Sequence, residues 1–167
     1  MCRGPISYSH KATRFAADQN GFDEMPAYQP EQVDYELAHA FNDGDLERAC
    51  SLYEAGAGVR RLAEDGGTVA TGDQGIREAM ARYVNLTPTM RIIVHHVTRA
   101  GDIALLRSQW IITGTDTAGA PIELSHNGIE VVRQQADGTW KFVIDHPYGA
   151  DPEFELPVAD IPAPPVG

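Results

Sequence analysis

The apolar residues of this chain change their spacing once, near residue 86, and that switch limits the folds open to it. Before it they recur at helical intervals; after it they alternate or run in β-branched stretches. Helices first and strands afterwards predict an α+β fold, a curved, mainly antiparallel sheet with three N-terminal helices wrapped over one face around a pocket. A parallel sheet would need helices between its strands, and the second half offers none.

The helical half reads as follows. The first helix runs from about Pro30 to Asp43. Pro30 suits the first turn, where its missing N–H is not needed, and Val33, Leu37, Ala40 and Phe41 make one apolar stripe. Gly44 stops it. Asp45 then caps a second helix with the stripe Leu46, Ala49, Cys50 and Tyr53, ended by Gly56 and Gly58. A short hairpin follows, Val59–Ala63 and Thr68–Thr71 around Glu64-Asp65-Gly66-Gly67. Asp73 is placed to cap a third helix with Ile76, Ala79, Met80 and Tyr83 on one face.

Four strands are predicted beyond Pro88: Met90–Arg99, Ile103–Thr115, Pro121–Gln135 and Thr139–His146. Gly-containing breaks separate them, as in a meander of hairpins. Residues 1–28 lack periodicity and are expected to form a flexible arm. Residues 152–167 hold five prolines and are expected to be an extended tail. The folded domain is then 29–151.

Net charge is −11, with no basic run. Nucleic-acid binding depends on Lys and Arg at phosphates, so neither a nucleic acid nor an anionic membrane is an expected partner. No stretch approaches the roughly 18 apolar residues of a membrane span, and the N-terminus has no apolar signal core. A cytoplasmic setting is expected. Cys2 and Cys50 are not expected to pair, and no Cys/His spacing resembles a zinc site. Phosphate-binding, dinucleotide and serine-nucleophile motifs are absent, so no cofactor is expected.

The element order resembles the nuclear-transport-factor-2-like superfamily, in its SnoaL-like and steroid-isomerase-like branch. Phe41-Asn42-Asp43-Gly44-Asp45 is similar to the junction of its first two helices. Tyr53 falls where an aromatic precedes the first strand. Gly72-Asp73-Gln74-Gly75-Ile76-Arg77 resembles the entry to helix three, and Asp137 to Asp145 the last hairpin. The resemblance spans about residues 30–150 and implies a pocket for a small apolar molecule. It leaves the activity open, because one fold hosts many functions.

The steroid-isomerase residues carry over only in part. The position of their catalytic Asp falls at Arg61, that of their helix-one Tyr at Leu37, and that of their protonated Asp at Glu130. Polyketide cyclases of the superfamily use an Asp on a late strand as base, and Asp145 resembles it in placement. Strand alternation then turns Ser108, Trp110, His126, Glu130, Val132, Val143 and Asp145 inward.

Asp145 is the expected general base or acid, with Glu130 as second carboxyl and His126 as proton shuttle. Trp110, Ser108, Tyr53, Arg61, Val143 and Val132 complete the expected pocket, Arg61 pairing with a carboxyl or an anionic substrate. Asp145 could equally serve the turn at His146-Pro147-Tyr148, and Glu130 a salt bridge with Arg107 or Arg133. Two functions remain open. One is a cofactor-free isomerase, cyclase or dehydratase acting on a small cyclic carbonyl, polyketide, terpenoid or steroid-like compound. The other is a non-catalytic ligand-binding or dimer-scaffold module. Convergent ionisable groups in the pocket would favour the enzyme; an apolar or filled interior would favour the module. Leu105, Ile111, Ile129 and Val131 on the outer strand face predict a homodimer.

Overall fold

The computed structural model describes residues 26–62 and 67–151. The expected tail, most of the expected arm and most of the expected hairpin turn lie outside those residues. Three helices, α1 (Gln32–Asp43), α2 (Leu46–Ser51) and α3 (Gly72–Val84), accompany six strands. The strands are β1 (Tyr53–Arg60), β2 (Val69–Thr71), β3 (Thr89–Ala100), β4 (Ile103–Thr115), β5 (Pro121–Gln134) and β6 (Trp140–His146). They form one curved, unclosed sheet in the order β2-β1-β6-β5-β4-β3. Every neighbouring pair is antiparallel except β1 and β6, which run parallel.

Local chemistry explains most boundaries. Gly44 takes φ 70° at the end of α1, where a side chain would be strained, and its N–H closes on Ala40 and Phe41 carbonyls. Asp45 caps α2 by accepting the Arg48 N–H. Two expectations are corrected. The second helix is only six residues long, and Tyr53 begins β1 rather than continuing the helical stripe. Asp73 lies inside the first turn of α3, whose cap position is Thr71. It favours the helix by placing negative charge near the amide end of the dipole.

The helices cover the inner face, α1 over β3 and β6 and α3 over β1 and β2. Between them lies a core that fully buries Val33, Met80, Leu106, Ile112, Val132, Trp140 and Phe142. Two irregularities adjust the strands around it. In β1, the register to β6 shifts between Tyr53 and Gly58, and Gly56 there has φ 86°. In β6, Ile144 pairs with Val131 but Phe142 pairs with Val132, so Val143 has no partner. That bulge turns both Phe142 and Asp145 inward and leaves Ile144 outward.

Candidate functional site

Strand register sets the inner end of the site. Glu130 on β5 and Asp145 on β6 are direct cross-strand partners, and both side chains are buried. Asp34 comes to the same place from α1, only 1% exposed. Above them a cavity of about 420 Å³, counted out to its open mouth, is walled by Leu37, Phe41, Met80, Tyr83, Trp110 and Ile112, among others. Its centre is narrow, with room for a few waters. Asp34, Glu130 and Asp145 are the carboxyl side chains that line it among the described residues.

Each carboxyl is held differently. Tyr53 donates its hydroxyl to Asp145 Oδ2 at 2.7 Å, and its ring packs on Phe142 with centroids 4.9 Å apart. Ser108 donates to Glu130 Oε1 at 2.7 Å. Ser108 lies across from Gly128, and a Cβ on Gly128 would collide with both Glu130 Oε1 and Ser108 Oγ. The pair therefore requires a residue without a side chain at that point. Glu130 Oε2 and Asp34 Oδ2 are buried with no hydrogen-bond partner among the described residues.

Such burial decides the protonation states. Desolvation penalises the carboxylate of Glu130, and repulsion from Asp34 and Asp145 adds to it, so its pKa is raised to about 10 despite the Ser108 bond. Asp34 is pushed well above its ordinary value by burial first and by Asp145 second. Asp145 is also raised by burial, but the Tyr53 hydrogen bond favours its ionised form and leaves it at about 6. Near neutral pH the site thus combines an ionised Asp145 with a protonated Glu130, beside an Asp34 that burial pushes toward its neutral form, a separation of states suited to acid–base work. Tyr53 is raised well above its ordinary range by burial and by the Asp145 charge, so it remains a donor.

The other expected residues fall elsewhere. Trp110 lines the cavity, its indole N–H donating to the Pro147 carbonyl at 2.7 Å. His126 does not meet Asp145 or Glu130. Its Nδ1 lies 2.6 Å from Asp151 Oδ2, and its ring is tilted against Trp110, 5.2 Å between centroids. Asp151 also accepts the backbone and side-chain N–H of Asn127.

Arg61 pairs with Glu78 at 3.6 Å and reaches neither buried carboxyl. The β1–β2 hairpin carries it away from the cavity, on the α3 side. Val143 is not a lining residue, because the β6 bulge breaks the alternation that had placed it inward. Val132 is fully buried core and does not line the cavity. Asp145 takes its hydrogen bond from Tyr53 rather than from the following turn, and Arg133 bonds Glu54, not Glu130.

Asp34 is the residue that sequence reasoning missed. Its signal was present: it stands three and seven residues before Leu37 and Phe41, within the buried stripe of α1. A carboxylate on an apolar stripe breaks the pattern for a reason, and the cavity supplies it.

A family model of the SnoaL-like domain matches residues 35–143. A search among curated proteins finds no match. Solved structures with the same fold include a ketosteroid isomerase-like protein from Erwinia carotovora, with 20% identity and a TM-score of 0.61 over 70% of this chain and 90% of that one. A second, from Xanthomonas campestris, is provisionally named a calcium/calmodulin-dependent protein kinase II association domain. It shows 16% identity and a TM-score of 0.58 over 70% of this chain and 81% of that one. A third, from Streptomyces avermitilis, is provisionally named a dehydratase of the nuclear-transport-factor-2-like family. It shows 19% identity and a TM-score of 0.56 over 70% and 90%. At these identities the likeness concerns the fold.

Proposed function

The chain belongs to the SnoaL-like domain family, and on that premise we propose that it is an acid–base enzyme of the isomerase, cyclase or dehydratase type. Its substrate is a small, mostly apolar cyclic carbonyl compound. Asp145, ionised near neutral pH, removes a proton from carbon next to the carbonyl. Glu130, still protonated, donates a hydrogen bond to the oxygen on which charge develops, and Asp34 stands beside both. Tyr53 holds Asp145 in place and keeps it ionised. This chemistry runs on the chain's own groups.

One observation carries the reading: two buried carboxyl groups, Asp34 and Glu130, each keep an oxygen without a hydrogen-bond partner among the described residues, at the wall of a cavity that also holds Asp145. An orphaned buried oxygen costs about 1–3 kcal/mol, which a purely structural cavity has no reason to retain. Convergent ionisable groups favour the enzyme over the scaffold module. The ketosteroid isomerase-like and dehydratase neighbours support the same class of chemistry.

The test is proton exchange at carbon. A panel of cyclic ketones in deuterated water, followed by NMR, should show exchange with the wild-type protein. Asp145→Asn, nearly identical in shape, should slow it by roughly 10²–10⁴-fold. No exchange above background for any ketone, or an Asn variant as fast as wild type, defeats the proposal.

Two further parts belong to this proposal. The protein is a homodimer that covers the outer face of β4, β5 and β6, and it works in the cytoplasm. Among the described residues no helix is long and apolar enough to cross a membrane.

A further inference from the structure

Moving a proton from one carbon to another leaves Asp34 without a task. Asp145 removes the proton, Glu130 holds the carbonyl oxygen, and the base that took the proton returns it. Yet Asp34 is only 1% exposed, lines the cavity, and keeps Oδ2 without a hydrogen-bond partner among the described residues. Burial first and the Asp145 charge second favour its protonated form. A protonated carboxyl presents an O–H, which needs an acceptor. Leaving that donor buried and unpaired destabilises the fold, so the ligand is the place to look for the acceptor.

The three carboxyls come from three elements, Asp34 from α1, Glu130 from β5 and Asp145 from β6. No Lys, Arg or His lines the cavity among the described residues, so a proton for a departing group has to come from an acid of this kind. A base at carbon, a donor at the carbonyl oxygen and a second acid beside both form the set that an elimination requires. The cavity measures about 420 Å³ out to its mouth, near the low end of the usual range for ligand sites. That suits a ring already closed better than a chain that must fold into one. Its narrow centre has room for a few waters, and so for one that is released.

We propose that this site removes water from a small cyclic β-hydroxy ketone, with Asp34 as the acid that protonates the departing hydroxyl. The C–H bond beside the carbonyl breaks, and its proton goes to Asp145. The electron pair becomes an enolate whose oxygen Glu130 holds. That pair then forms the carbon–carbon double bond as the bond from the β carbon to oxygen breaks. The oxygen leaves as water with the proton of Asp34. Nothing is oxidised or reduced, and the products are a conjugated enone and water. Asp145 now carries a proton and Asp34 a charge. The proton returns from Asp145, held at about 6, to Asp34, held well above its ordinary value, and the cycle closes without another reagent. This inference rests on the acid–base reading and narrows it to one reaction and one substrate class.

The probes are 3-hydroxycyclohexanone, whose hydroxyl needs a proton to leave, and 3-chlorocyclohexanone, whose chloride leaves without one. Both give 2-cyclohexenone, followed by its ultraviolet absorbance over the uncatalysed background. The wild-type protein should release enone from both. Asp34→Asn should slow loss of water by roughly 10²–10⁴-fold and loss of chloride by a factor at least about tenfold smaller. Asp145→Asn should slow both alike, since each needs the base. Circular dichroism checks folding, and the wild-type result decides even if Asp34→Asn fails to fold. Proton exchange into cyclohexanone on the same preparation separates the two failures. Exchange without release of enone from the hydroxy ketone overturns this inference and leaves the acid–base reading standing. Neither exchange nor elimination defeats both. Equal slowing of water and chloride loss in Asp34→Asn overturns the role of Asp34 as the acid.

Discussion

Asp145 and Glu130 differ less in their hydrogen bonds than in the charges that face them. Both carboxyls are buried and each takes one side-chain hydrogen bond. Glu130 also feels the charges of Asp34 and Asp145, and it is held at about 10 while Asp145 is held at about 6. The base must be ionised and the acid protonated, so activity should rise with pH through about 6 and fall again through about 10. Removing the Tyr53 hydroxyl takes away the bond that favours the Asp145 carboxylate. Tyr53→Phe should therefore move the acid limb of the pH–rate profile to higher pH, by an amount on the order of one unit, and leave the alkaline limb in place. An acid limb that stays where it was would show that Tyr53 does not set the ionisation of Asp145.

At the scale of single elements, β5 and β6 do most to build the site, and each departs from a regular strand at one point. Gly128 gives β5 a gap that the Ser108–Glu130 pair fills. Gly128→Ala should push that pair apart and destabilise the fold by about 1–3 kcal/mol, the usual cost of overpacking. Urea unfolding checks this, and an unchanged midpoint would mean that the pair shifts freely. In β6 the bulge at Val143 separates what sequence can show from what it cannot. Alternation placed Ser108, Trp110, Glu130 and Val132 on the inner face, because β4 and β5 pair without a slip. The same rule gave Val143 and Asp145 one face, yet only Asp145 lines the cavity. A bulge is an event between two strands, and nothing in Phe142-Val143-Ile144 announces it. The partners of His126 and Arg61 were equally illegible, since Asp151 and Glu78 come from remote parts of the chain. Helix order, turn glycines and the limits of β3 to β6 are local, and they read well, whereas β1 begins at Tyr53 and not at the expected Val59. Tyr53 misled for a local reason: it extends the α2 stripe by one step, although Leu52 already ends the helix.

For the whole molecule, the buried acids and the outer sheet face each have a consequence. A carboxyl raised in the folded state holds its proton where the unfolded chain has released it. For Glu130 that window runs from about 4.5 to about 10, and folding stability contributed by this group falls as pH rises through it. Melting temperature should decline from pH 5 to 9, and more gently in Glu130→Gln, which has no proton to lose. Parallel declines in the two proteins would place the effect elsewhere. The outer face raises a different question. Leu105, Val131 and Ile144 are neighbours across β4, β5 and β6, on the side away from the helices. Leu105 is 40% exposed and Ile144 52%, and Ile129, two residues along β5 from Val131, flanks them half-buried. A contiguous apolar row of this kind on a sheet face marks an interaction site. The β6 bulge adds Ile144 to it by the same turn that sends Asp145 inward, so one irregularity serves both faces. A second copy meeting this row would bury it symmetrically, since an isologous contact pairs a patch with itself. Light scattering at micromolar concentration should then give twice the 18.2 kDa chain mass. Ile144→Lys, which places a charge at the β6 end of the row, should halve that mass and leave the melting curve of the separated chain cooperative. A wild-type protein that scatters as one chain across that range would leave the row without a partner copy and end the dimer proposal.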